Sequence, residues 1–194
     1  MLLVQSKFFN SILIQTAESN VYIAKPLLVI TMLLNLLGFN LSWFGLILFG
    51  NIFIPFSLLW LGLHLYWCEQ IKREVKLILS IILIGTLVDT LLFSANILIF
   101  PNPHFIPFWL ITLWAAFAAT IAHSLQFLAH STILQSLIGF IFPPLSYLGG
   151  ASLSAVDLGY SQLAIFFILA PVWSILMVLF FHLKEIFYGR EKND

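Results

Sequence analysis

Asp89 is a carboxylate in an apolar tract that runs from Leu77 to Phe100. A charged group near the bilayer centre costs roughly 3 kcal/mol or more on insertion scales, and intramembrane acids usually serve function. No Lys or Arg lies in an apolar tract to pair with it. Asp89 is therefore either protonated or held by neutral donors such as Asn35, Thr120 or His123. Either state suits proton exchange, capture of a polar head group, or a structural hydrogen-bond hub. His123 is the candidate acid–base partner, provided its helix lies beside that of Asp89. His64 is expected at a depth similar to His123. Several histidines and one aspartate could ligate a metal. However, no His-x-x-x-His pair occurs, and His123 and His130 are seven residues apart. No metal site and no cofactor is expected.

The elements that position these residues follow from composition. Of 194 residues, 61% are hydrophobic and 8% charged, with zero net charge. That is too little charge to cover a soluble domain. It also excludes disorder, which needs low hydrophobicity, and nucleic-acid binding, which needs a basic patch. An integral membrane protein remains.

The residues 26–68, 90–156 and 158–183 carry no Asp, Glu, Lys or Arg. About 20 residues cross a hydrocarbon core as a helix. The first tract predicts two crossings with a turn near Gly50-Asn51. Further crossings are expected over Leu77–Phe100, Ile106–Ala129, Ile133–Leu148 and Tyr160–Leu183. The expected fold is all-α, a bundle of six transmembrane helices. Pro143-Pro144 and Gly149-Gly150 predict a break in the fifth, which either walls a pocket or only kinks the helix. Continuous apolar runs exclude a β-barrel.

Lys7, Lys25, Lys72, Arg73, Lys76, Lys184, Arg190 and Lys192 all fall on one side of a six-helix topology. That side is cytoplasmic, with both termini inside. Residues 1–25 read as a cytoplasmic or interfacial extension, 26–184 as the membrane domain and 185–194 as a cytoplasmic tail. Within the helices, small and polar residues mark contacts or a cavity. Helix one carries Thr31, Asn35, Gly38, Ser42 and Gly45 on one stripe, with Asn40 opposite. Helix three carries Gly85, Thr86, Asp89 and Asn96. Helix four carries Thr112, Ala116, Thr120, His123 and His130.

Trp109-Leu110, the run from Trp114 to Thr120, and His123-Ser124-Leu125 form one group of motifs. Gly139 to Pro144, Ser146-Tyr147 and Gly149-Gly150-Ala151 form another. With Gly85, Asp89, Asn35 and Trp43, they resemble the bacterial domain of unknown function 2878 family. The resemblance spans Asn35 to the last helix. It implies a small multi-pass protein of the cytoplasmic (inner) membrane that works in the lipid phase, with no assigned activity. Pro143-Pro144 stands where the family pattern has Gly-Pro, and Ser154 where it has Gly.

The candidate functional polar cluster is Asp89, His123, Thr120, Asn35, Ser124 and Tyr147. The first functional expectation is binding or handling of a lipid or other apolar small molecule in a polar-lined cavity. The alternatives are a small proton-linked transporter using Asp89, a membrane enzyme with a His123/Asp89 acid–base pair, or a purely structural subunit. No nucleophile or cofactor motif supports the enzyme. The expected partners are the lipid bilayer and such a small molecule, with no nucleic acid. A homo-oligomer is compatible with the sequence.

Overall fold

The computed structural model describes residues 29–101 and 104–189. The chain divides into two units, Met1–Leu34 and Asn35–Asp194. In the first, residues 29–34 are helical, and the expected extension over 1–25 lies outside the described residues. The second unit opens with helix α1, residues 35–49, followed by a 3-10 turn at Gly50–Phe53. Then come α2 (Ile54–Trp67), α3 (Ile71–Ser94), strand β1 (Leu98–Ile99) and α4 (Phe108–Ile121). A 3-10 turn at Gln126–Leu128 leads to α5 (Thr132–Ser152), strand β2 (Asp157–Leu158) and α6 (Gln162–Tyr188).

The fold is all-α apart from one two-stranded ladder. Val29–Trp67, Ile71–Ser94, Thr132–Ser152 and Gln162–Tyr188 are long and apolar enough to cross a membrane, with hydropathies of 2.1, 2.3, 1.3 and 2.6. The α4 helix has 14 residues, short of the about 20 that a full crossing takes. The 39-residue span Val29–Trp67 is not one rod. Gly50 has φ +57°, a left-handed conformation that glycine adopts without steric cost. The chain reverses there. Gly38 faces the Trp60 ring, and Gly45 faces the Phe53 ring. Each glycine leaves the room that an aromatic side chain of α2 occupies, so the small-residue stripe of α1 is the seam of a helical hairpin.

Helix α3 begins six residues before the expected Leu77 and takes in Glu74 of the charged cluster. Its buried face carries Glu74, Leu77, Ile78, Ile81, Gly85, Asp89 and Leu92, at the three- and four-residue steps of one helical stripe. Leu79, Leu83, Leu87 and Leu91 form the opposite, exposed stripe, as expected of a lipid-facing side. Asp89 therefore lies five residues from the end of α3 rather than near its middle.

The expected break in the fifth helix is absent. Helix α5 continues through Pro143 and Pro144 and past Gly149 and Gly150. A proline inside a helix loses one backbone bond and pushes against the preceding turn, yet packing against neighbours offsets this in apolar helices. Along α5, Gly139 lies against the Trp173 carbonyl of α6, and the Ser174 hydroxyl donates to the Ser136 carbonyl at 2.7 Å. Both contacts hold α5 close to α6. Ser131 and Ser161 cap α5 and α6 by accepting from Leu134 N and Ala164 N. Helix α6 continues through residues 185–188, which the sequence assigned to the tail. Of that tail, residues 190–194 lie outside the described residues.

The loops after α3 and α5 meet in a ladder that the apolar pattern did not predict. Leu98 pairs with Leu158 and Ile99 with Asp157, antiparallel. Gly159 N donates to Ile97 O at 3.1 Å. A Cβ on Gly159 would sit 1.7 Å from the Asn96 carbonyl oxygen, so only glycine fits. Ser154, at the turn into this ladder, has φ +61°. The left-handed conformation costs a residue with a Cβ roughly 1–2 kcal/mol. Ser154→Gly should therefore stabilise the detergent-solubilised protein by about 1 kcal/mol, read as a higher thermal unfolding midpoint.

Candidate functional site

Asp89 is completely buried. Trp114 Nε1 donates to its Oδ2 at 2.6 Å, and the Tyr147 hydroxyl donates to its Oδ1 at 2.6 Å. These donors come from α4 and α5, so one carboxylate ties three helices together. The local sequence makes this possible. Gly85 lies one turn before Asp89 on the same face of α3, and the Trp114 ring occupies the place of its missing Cβ. The indole then reaches the carboxylate four residues on. Trp114 also stacks on Trp173 of α6, with ring centroids 5.0 Å apart and planes 6° from parallel.

Beside this group lies a cavity of about 610 Å³ between α1, α4, α5 and α6. Its walls are mainly aromatic and aliphatic, including Phe39, Trp43, Trp109, Leu113, Trp114, Phe117, Ile138, Phe142 and Trp173. Its polar groups are few. Asn40 is one of them, and its amide donates back to the Leu36 carbonyl at 2.8 Å. Ser146 and Tyr147 supply two hydroxyls, and Trp43 Nε1 donates to Ser146 Oγ at 2.7 Å. Pro143 and Gly150 of α5 also line the space.

A second polar cluster gathers round Glu74, which is fully buried near the start of α3. Glu74 Oε1 is 2.9 Å from His64 Nε2 of α2. Its Oε2 accepts from the Tyr188 hydroxyl of α6 and lies 3.4 Å from His123 Nε2. The two imidazole rings have centroids 4.6 Å apart and are nearly perpendicular. His123 reaches this place because α4 stops at Ile121 and the chain turns. His123 N and Leu125 N both bond to the Thr120 carbonyl, at 3.1 and 2.9 Å.

Asn35 secures the turn. Its Nδ2 donates to the Ala119 carbonyl at 3.0 Å, and its Oδ1 accepts from Ser124 Oγ at 2.7 Å. The same Nδ2 lies 3.4 Å from His64 Nδ1. An amide nitrogen held by a carbonyl can only donate to that imidazole nitrogen. The His64 proton is thereby assigned to Nε2, facing Glu74. Arg73 closes this end by donating to the Tyr188 carbonyl at 3.1 Å.

The candidate residues thus fall into two groups. Asp89 and Tyr147 meet at one end of α3. Asn35, Ser124 and His123 meet at the other, and Thr120 bonds to Phe117 O through its hydroxyl. Glu74 and Asp89 are fifteen residues apart on one helix, about 22 Å along its axis. His123 faces Glu74, and the expected His123/Asp89 pair does not form. Glu74, Tyr188 and Trp114 were missed. Glu74 falls among the charged residues of 69–76, between two apolar tracts. Its signal was the four-residue step to Ile78, which continues the buried stripe of α3 toward the amino end. The spacing rule that argued against a metal looked for two ligands on one helix, whereas His64, Glu74 and His123 come from three separate elements.

A family model matches residues 32–179, described as a protein of unknown function (DUF2878). The chain belongs to this family. No curated protein and no solved structure matches it.

Removing the Tyr147 hydroxyl leaves a buried carboxylate oxygen without its donor. Tyr147→Phe should cost about 1–3 kcal/mol of stability, measured by thermal unfolding against wild type. Ser146→Ala, whose hydroxyl serves only the half-buried Trp43 indole, should cost clearly less.

Proposed function

We propose that this protein binds a lipid or another apolar small molecule in the cavity between α1, α4, α5 and α6. The observation that carries the reading is the cavity itself. Its volume of about 610 Å³ is that of a small-molecule site, as is its apolar, aromatic lining with a few fixed polar groups. Asn40, Ser146 and Tyr147 give it a few polar groups, and the rest of the lining suits an acyl chain or similar apolar body. A proton-linked transporter is the second reading, favoured by the burial of Asp89 against neutral donors.

A photoreactive phospholipid incorporated into membranes with the protein tests the binding reading. Wild type should crosslink through cavity residues. Leu113→Trp and Ile138→Trp, which fill the space, should each lose most of the crosslink while eluting as folded protein. Unchanged crosslinking in both variants overturns the reading.

In the membrane, the chain is proposed to cross six times with both termini on the cytoplasmic side, α4 completing its crossing through the turns that follow it. The charge distribution supports this orientation. Cys68, between α2 and α3, is the single cysteine of the chain and falls on that side. Burial raises its thiol pKa above the ordinary value. A raised pKa leaves less thiolate at neutral pH, and the thiolate is the reactive form. A membrane-impermeant maleimide should label Cys68 in inside-out vesicles and not in intact cells. Its rate should reach its plateau at a higher pH than that of a free cysteine thiol measured alongside.

A further inference from the structure

The geometry points to a divalent transition-metal site formed by His64, Glu74 and His123, separate from the cavity and from Asp89. The three donor atoms lie within 4.8 Å of one another. In a tetrahedral zinc site with bonds of about 2.0–2.1 Å, neighbouring donors sit about 3.3 Å apart. The observed separations are 2.9 Å from His64 Nε2 to Glu74 Oε1 and 3.4 Å from His123 Nε2 to Glu74 Oε2. Each imidazole faces a different oxygen of the same carboxylate, so one ion is held either by both oxygens or by one of them after a rotation of the carboxylate.

The chemistry of the set agrees with its geometry. Two imidazoles and one carboxylate are borderline-hard donors suited to zinc and its first-row neighbours. They arrive from α2, from α3 and from the turn after α4, so tertiary structure gathers them before any ion binds. His123 Nε2 is buried and makes no hydrogen bond of good geometry, which leaves its lone pair for an ion. Tyr188 supplies an outer hydrogen bond that orients Glu74.

The His64 proton on Nε2 occupies the space between His64 and Glu74. An incoming ion takes the Nε2 lone pair of the other neutral tautomer, so the hydrogen passes by exchange with solvent from Nε2 to Nδ1 with no net proton release. The imidazole then carries its hydrogen on Nδ1 and gives up the 3.4 Å contact with Asn35. His123 is one-third exposed and offers the ion its way in. Three protein ligands leave a fourth position for water or for a small anionic ligand.

The test uses the full chain, purified in detergent without a polyhistidine tag, stripped with a chelator and titrated with Zn²⁺ and with Co²⁺. The expected result is one ion per chain and a Co²⁺ visible band of tetrahedral intensity. His123→Ala, the least buried ligand, should abolish both, and Glu74→Gln should do the same. Tyr188→Phe, which removes the outer hydrogen bond to Glu74, should weaken binding about 10–100-fold. His182→Ala, an exposed histidine away from the cluster, should leave both unchanged. Stoichiometry well below one in wild type overturns the proposal. Zn²⁺ binding that survives in His123→Ala also overturns it, because the ion then sits elsewhere. The elution profile and thermal midpoint of His123→Ala separate a lost ligand from a lost fold.

Discussion

Two carboxylates on the buried face of one helix set the terms for the rest of this structure. Burying either in an apolar interior without donors is prohibitive, and leaving such a group short of one neutral donor costs about 1–3 kcal/mol. Glu74 and Asp89 lie fifteen residues apart on α3, so donors must be brought to both ends of the helix. Asp89 receives an indole from α4 and a phenol from α5. Glu74 is met by an imidazole from α2, a phenol from α6 and the imidazole of the turn after α4. Helix α3 is thereby the post to which the other helices are tied, and its opposite face is left to a plain stripe of leucines.

Packing follows a second rule, a small residue opposite an aromatic ring. Gly38 receives Trp60, Gly45 receives Phe53 and Gly85 receives Trp114. Hydrophobic association does little between helices surrounded by lipid, so close contact and directed polar bonds carry the specificity. The glycines bring the backbones close, and the indole N–H groups of Trp43 and Trp114 turn two of the large rings into donors. The stacked Trp114 and Trp173 rings extend this layer into α6, and the cavity is the space that the layer leaves unfilled beside α1.

The two polar groups call for different descriptions. The Asp89 group is closed, with both oxygens occupied by short, well-directed bonds. In the Glu74 group the buried His123 Nε2 is left without a hydrogen-bond partner, and that imidazole is partly exposed. The first offers no free oxygen to a further ligand, and the second is the one proposed to take an ion. This division reverses the weight that an isolated aspartate in an apolar tract invites when only its sequence neighbourhood is considered.

The all-α class, the polarity of the helix faces and the turn at Gly50 were legible in the sequence, because apolar run length and helical period are local properties. The stripe Asn35, Gly38, Ser42 and Gly45 identified the contact face of α1, on which Asn35 bonds to Ala119 and Ser124. The ladder between Leu98–Ile99 and Asp157–Leu158 was not legible, since two-residue strands leave no periodic trace. Nor was the continuity of α5 through two prolines, because the compensation comes from helices elsewhere in the chain. Above all, the sequence determined which residues are too polar to face lipid, while tertiary structure alone decided their partners. A buried polar group must be satisfied, but any donor at the right depth on any adjacent helix will serve. Only the order of helices round α3 sends Tyr147 and Trp114 to Asp89, and His64 and His123 to Glu74.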